Sequence, residues 1–213
     1  MSEQTNFVTT ILIWAVPTIL AIILHEVMHG YVALVFGDDT AWRAGRLTLN
    51  PLRHIDPLGT LILPAILIFS HLPVFGYARP VPVNFRRLRE PRLGMILVAA
   101  AGPLTNLGLA AVSAIGRRAI VDSASIGGGV HEILAKMLGA SVLINVMLAV
   151  FNLFPLLPLD GGRVLAGLLP SGLARSYARV ERYGFLILFV LLYLGWLDRV
   201  VYPLVDVIAR GLL

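Results

Sequence analysis

The chain has no cysteine, which removes disulfides and thiolate metal ligands together; any metal it binds must be held by histidine and carboxylate. It is also poor in charge, at 14% against roughly 25% in soluble domains. Apolar residues make up 58% of 213 positions without counting glycine, more than a soluble fold of this length can hide. The composition therefore excludes a soluble enzyme and points to an integral membrane protein. Seventeen basic against twelve acidic residues give a net charge of +5, almost all of it from arginine. No basic-aromatic cluster accompanies that excess, so it reads as cytoplasmic loop anchoring and not as nucleic-acid binding. The opening MSEQTNF lacks the basic n-region of a secretory signal peptide. Internal repeats and low-complexity tracts are missing too. The length suits one domain over 1–213, with no room for an appended soluble sensor.

What is present is a series of long apolar runs. Residues 7–36 exceed the ~20 needed to span a bilayer, with Pro17 expected to bend the helix and Gly37-Asp38-Asp39 to end it. A short run at 58–72 carries Pro64. Further runs cover 93–115, with the small-residue patch Ala99-Ala100-Ala101-Gly102, then 130–153 and about 183–208. The expected fold is an all-α polytopic membrane protein of roughly 4–6 transmembrane helices. Loop arginines set its orientation. Residues 37–57 carry Arg43, Arg46 and Arg53, and 78–92 carry Arg79, Arg86, Arg87, Arg89 and Arg92. If 58–72 crossed the bilayer these two loops would lie on opposite sides, so it is read as a short or re-entrant segment. Residues 155–182, with Arg163, Arg175, Arg179 and Arg182, then come out cytoplasmic as well; Arg117 and Arg118 on the far side count against this topology but are outnumbered.

Within the first run stands His25-Glu26-Val27-Met28-His29. On a helix, residues four apart share a face, so both imidazoles can reach one metal from adjacent turns. Glu26, one residue on, can address a water on that metal, the core arrangement of a metal hydrolase. At this composition the pattern arises by accident in about 0.3% of chains of this length. The plain alternative is two helical histidines satisfied by neighbours. Asp160 follows Asn152-Leu153-Phe154-Pro155-Leu156-Leu157-Pro158-Leu159, whose prolines break the helix, and precedes Gly161-Gly162, which permit an unusual backbone. An aspartate in such apolar company is costly unless paired or bound to a cation. It is either the N-cap of a short helix or a third metal ligand, and the histidine pair favours the ligand.

HEVMH together with FNLFPLLPLDGGRVL resembles the site-2 protease family of intramembrane zinc metalloproteases. NPLRHIDPLGT at 50–60, GYARPVPVN at 76–84 and AGPLTNL at 101–107 resemble its compact prokaryotic branch, which carries no PDZ or CBS domain. The resemblance covers about 20–165. It implies a catalytic core over about 7–170, while the apolar run over about 183–208 reads as a C-terminal transmembrane helix. It further implies one zinc per chain held by His25, His29 and Asp160, with Glu26 as general base. Asn152 matches a family asparagine near the site, expected to hydrogen-bond substrate backbone or the oxyanion. Transmembrane protein substrates, a prokaryotic inner membrane and a site facing the cytoplasm are likewise implied.

Other positions stay open at this level. His54 either returns to the site as a supporting partner or oxyanion donor, or is a loop histidine paired with Asp56 or a carbonyl. Arg79-Pro80-Val81-Pro82-Val83-Asn84 reads as extended chain near 76–84, either an edge that pairs with unwound substrate or a rigid linker. His71 and His131 read as interfacial polar residues, Ala99–Gly102 as close helix packing, and Gly127-Gly128-Gly129 as a turn. Two rival functions are an ion transporter or channel using the His and Asp residues, and a non-catalytic metal-binding membrane protein. Oligomeric state is not legible in the sequence.

Overall fold

A computed structural model describes residues 7–70, 76–122 and 129–213. His71 and the Gly127-Gly128 pair of the expected turn lie outside the described residues. The protein is helical, with no strand among the described residues. Among the described residues three helices are long and apolar enough to cross a membrane, or four if the bent pair near the C-terminus is one span: α1 (Phe7–Val35), α4 (Pro91–Asp122) and α5 (Gly129–Asn152). In a bilayer this is the expected solution, since a helix satisfies its own backbone where no water can. The α1 helix runs through Pro17 without interruption and stops at Gly37, whose φ of 101° ends the helical path. Between α1 and α4 lie α2 (Thr40–Arg43), a π turn at Pro57–Ile62 and α3 (Leu63–Phe69). The last two together rise about 20 Å, against the ~30 Å of a hydrocarbon core. Residues 76–84 carry neither helix nor strand, in keeping with the extended stretch expected there.

After α5 come two short helices, α6 (Asp160–Leu168) and α7 (Ser171–Ala178). The apolar run at 183–208 does not form one helix. It divides into α8 (Glu181–Tyr193) and, through a π turn, α9 (Tyr202–Leu212), bent by 72° about Gly195 at φ +77°. That left-handed step favours glycine and breaks the helical ladder without any proline. Trp196 follows at once, with its ring 4.3 Å from that of Phe154 and 6.0 Å from Phe151. The bend thus seats an aromatic cluster against the chain leaving α5.

Packing between the spans uses small residues. Ala110 and Ala114 of α4 and Val142 and Val146 of α5 are buried in one cluster with Leu156, Leu188, Leu192 and Trp196. Small side chains let helix backbones approach where lipid offers no hydrophobic drive. Phe7, Ile11 and Trp14 on the outer face of α1 remain exposed, as lipid-facing residues should. Hydrogen bonds fix the register: His29 meets Val98 and His25 meets Asn106, so α1 and α4 are antiparallel. Asn106 meets Asn145 and Ser113 meets Ser141, so α4 and α5 are antiparallel too. The C-terminal ends of α1 and α5 and the N-terminal end of α4 therefore share one side.

Candidate metal centre

His25 and His29 lie on adjacent turns of α1, their rings 4.7 Å apart between centroids and nearly perpendicular. Each commits its Nδ1 to an oxygen of α4. The His25 Nδ1 lies 2.5 Å from Asn106 Oδ1, and the His29 Nδ1 lies 2.7 Å from the Val98 carbonyl. Carbonyl and amide oxygens only accept, so both Nδ1 atoms carry the proton. In the neutral rings Nε2 then holds a lone pair, the tautomer a metal requires.

The two Nε2 atoms converge on Asp160 Oδ2, at 3.1 Å from His25 and 3.3 Å from His29. That oxygen is buried and has no hydrogen-bond partner. Asp160 is the first residue of α6, with Leu159 in the N-cap position, so the N-cap alternative is not the geometry found. Three acceptor atoms facing one point without a proton repel one another, and a cation resolves all three contacts at once. The spacing suits a small one: a tetrahedron with bonds of about 2.0 Å has edges of about 3.3 Å, and zinc takes nitrogen and oxygen ligands in that geometry. His25, His29 and Asp160 form the one group of this kind among the described residues.

Asp160 reaches this position because α6 begins directly on the chain that leaves α5. A Cβ on Gly161 would run into the Leu153 and Phe154 backbone, and one on Gly162 into that of Leu156 and Leu157. Both glycines have ordinary helical φ, so the expected unusual backbone is not their role; close approach is. Gly102 of α4 does the same on the other side. A Cβ there would lie 2.5 Å from His29 Nε2 and 2.6 Å from His25 Nε2, inside the ligand set. The small-residue patch at 99–102 thus both packs helices and leaves room for a metal.

Asn106 is fully buried, and its residue type alone gives no sign of a role at the site. Its amide nitrogen donates to Asn145 Oδ1 at 2.8 Å and to the Ala21 carbonyl at 3.3 Å, which turns Oδ1 toward His25. Asn145 in turn donates to the Ser141 carbonyl at 2.9 Å, and the Ser141 and Ser113 hydroxyls are 2.8 Å apart. This chain of satisfied polar groups leads from the centre into the bundle. A sequence signal for it existed: Val98, Gly102 and Asn106 recur at four-residue spacing, one face of a helix.

Glu26 points into the same cavity, of about 700 Å³, which His25, His29, Asp160, Asn152, Val81 and Val83 also line. Its Oε2 accepts the Val81 backbone N–H at 2.8 Å. Asn152, the last residue of α5, donates one amide N–H to the Leu148 carbonyl at 3.0 Å. His54 does not line the cavity. It is buried, its Nε2 lies 2.8 Å from the Thr48 carbonyl, and its own carbonyl accepts the Arg79 N–H at 2.8 Å. Of its two sequence alternatives, the carbonyl-bonded loop histidine is the geometry found. His131 stands at the start of α5, away from the cavity lining.

A profile of peptidase family M50 matches residues 118–195, the part of the chain that contains Asp160 but not the histidine pair. The chain is also 39% identical over 198 residues to "Putative zinc metalloprotease YwhC" of Bacillus subtilis, covering 90% of this chain and 84% of that protein. The chain belongs to peptidase family M50. It is 31% identical over 188 residues to "Putative zinc metalloprotease Rip2" of Mycolicibacterium smegmatis, with 88% of this chain and 69% of that one aligned. Against the protein of the same name from Mycobacterium tuberculosis H37Rv the identity is 30% over 205 residues, 94% and 74% of the two chains. All three alignments run far beyond the profile match. No solved structure matches.

Proposed function

We propose that this M50 peptidase is an intramembrane zinc endopeptidase that cuts transmembrane segments of membrane proteins, with Glu26 as general base. The observation that carries the reading is the convergence of His25 Nε2, His29 Nε2 and the unpartnered Asp160 Oδ2 beside a free carboxylate oxygen of Glu26. Zinc bound there supplies a Lewis acid that acidifies a water and polarises the scissile carbonyl. The residues do the rest. His25 and His29, oriented by Asn106 and the Val98 carbonyl, present their lone pairs, and with Asp160 they would hold the metal. Glu26 keeps Oε2 on Val81 N–H, so Oε1 is the atom that takes the proton from water and returns it to the leaving amine nitrogen. Asn152 has a second amide N–H and its Oδ1 for the substrate backbone.

The substrate reading follows from where the site sits. A transmembrane helix hides its peptide bonds in its own ladder, so it must unwind before the carbonyl can be reached. Val81 and Val83 line the cavity on an extended segment beside Glu26, and an unwound segment pairing there would present its backbone to the centre. Arg43, Arg46, Arg53, Arg79, Arg86, Arg87 and Arg89 lie between α1 and α4, with Arg92 in the first turn of α4, and the positive-inside rule then favours a site toward the cytoplasm of a prokaryotic cell membrane. His54 acts as a pin between its own loop and Arg79, outside the chemistry.

The test is cleavage of a single-span polyleucine peptide carrying an Asn-Pro step near one end, co-reconstituted in vesicles with wild type or Glu26→Gln. Wild type should cut near the step, and the variant, with its metal retained, should be slower by roughly 10²-fold or more, the scale of general-base loss. Equal cutting by both would remove Glu26 from the mechanism. An ion flux across the same vesicles that needs His25 and Asp160 but not Glu26 would instead support a transporter.

A further inference from the structure

Arg46 is a buried arginine, 7% exposed, on the loop after α2, and the mechanism above does not use it. Its Nη2 donates to the Arg79 carbonyl at 2.6 Å and lies 3.5 Å from the Pro80 carbonyl. Its Nε is buried with no partner. Burial pushes the guanidinium below the usual arginine range, Arg79 and Arg53 add to that, and Glu26 works against it. A buried cation with an unsatisfied N–H is costly to stability, and an apolar residue would fill such a place more cheaply.

What it holds is specific. Proline at 80 and 82 leaves Val81 as the one N–H donor across three residues. That N–H is the partner of Glu26 Oε2. The peptide group joining Pro80 to Val81 therefore faces Arg46 with its oxygen and Glu26 with its nitrogen. Leu47, next to Arg46, and Val81 both close on Gly30, one residue past His29, where a Cβ would come within 2.6 Å and 2.7 Å of their side chains. The Arg46 loop and the Pro80–Val81 peptide are thus pressed onto the same turn of α1 that carries the metal ligands.

We infer that Arg46 is a positioning residue: by gripping the Arg79 and Pro80 carbonyls it fixes the Val81 N–H, and through it the Glu26 carboxylate, so that Oε1 faces the water and Oε2 does not. This rests on Glu26 being the base. Without Arg46 the 79–81 segment can drift from α1, and the carboxylate gains a second orientation that turns its free oxygen away from the centre. The metal ligands, held from α4, are unaffected.

The experiment reads position and chemistry separately. Amide hydrogen exchange over 76–84 follows the Val81 N–H, in wild type, Arg46→Met, Arg46→Lys and Glu26→Ala, each with its zinc content measured. Arg46→Met should speed exchange at Val81 by roughly 10-fold or more, the scale of a lost bond to a charged group, while zinc is retained. Arg46→Lys, whose ammonium can still donate to the Arg79 carbonyl, should recover much of the protection. On the polyleucine probe, Arg46→Met and Val81→Pro should each lower kcat, and the double variant should be no worse than the worse single one, since both act through one bond. Unchanged Val81 exchange in Arg46→Met, or losses that multiply in the double variant, would overturn the inference. Full activity in Glu26→Gln would instead overturn the base assignment, a result the exchange data do not depend on.

Discussion

On the α4 side of the cavity, both histidine Nδ1 atoms meet oxygens set in a transmembrane helix, and one of those oxygens is oriented by a further tier, Asn145 and Ser141, in α5. On the opposite side, Glu26 is held by a single backbone N–H from a segment with no regular structure. That segment hangs on side chains and loop carbonyls: Arg46 on its Arg79 carbonyl, the Gly59 and His54 carbonyls on its Tyr77 and Arg79 N–H groups, and Asp38 Oδ2 on Asn84 N–H at 2.6 Å. The ligand geometry is thus over-determined by packed helices, whereas the geometry of the base depends on several separate loop contacts. Metal binding and turnover should therefore be separable by mutation, and the variants below either break that separation or sharpen it.

The largest effect should come from Gly102→Val. Its side chain would start 2.5 Å from His29 Nε2, so zinc binding should be lost with helicity intact, as metal analysis beside circular dichroism would show. Asn106→Ala should weaken zinc about 10- to 100-fold, the usual cost of removing a ligand-orienting partner, in a competition titration with a chelator. Asn145→Ala, one step further out, should cost less in the same titration. Asp38→Ala belongs to the other side. It should leave zinc affinity unchanged and slow cleavage several-fold, because it frees the Asn84 end of the segment and removes the Thr40 contacts that hold Asp38 in place. Arg87→Ala, which removes an exposed pairing with Asp39, should change stability by less than ~1 kcal/mol and turnover not at all. Loss of zinc in Asp38→Ala, or loss of turnover without loss of zinc in Asn106→Ala, would erase the contrast between the two sides.

The reach of the sequence follows the same division. His25, Glu26, His29 and Asp160 are legible because their chemistry is written in residue type and spacing. Gly102 and Asn106 are not, since their roles arise only when α4 lies antiparallel to α1 in one register, although their spacing with Val98 marks the face. The 72° bend between α8 and α9 is hidden because the apolar run continues through it and one glycine, Gly195, makes the break. Arg46 reads as one of many loop arginines, and only the fold shows it buried against the segment that meets Glu26.

The most direct test of the metal centre is the metal content of detergent-purified protein, wild type beside Asp160→Ala and the His25→Ala/His29→Ala double variant. The account predicts about one zinc per chain in wild type, weakened binding in Asp160→Ala and none in the double variant. A well-folded wild type that holds no zinc after reconstitution, or a double variant that still holds it, would contradict the account.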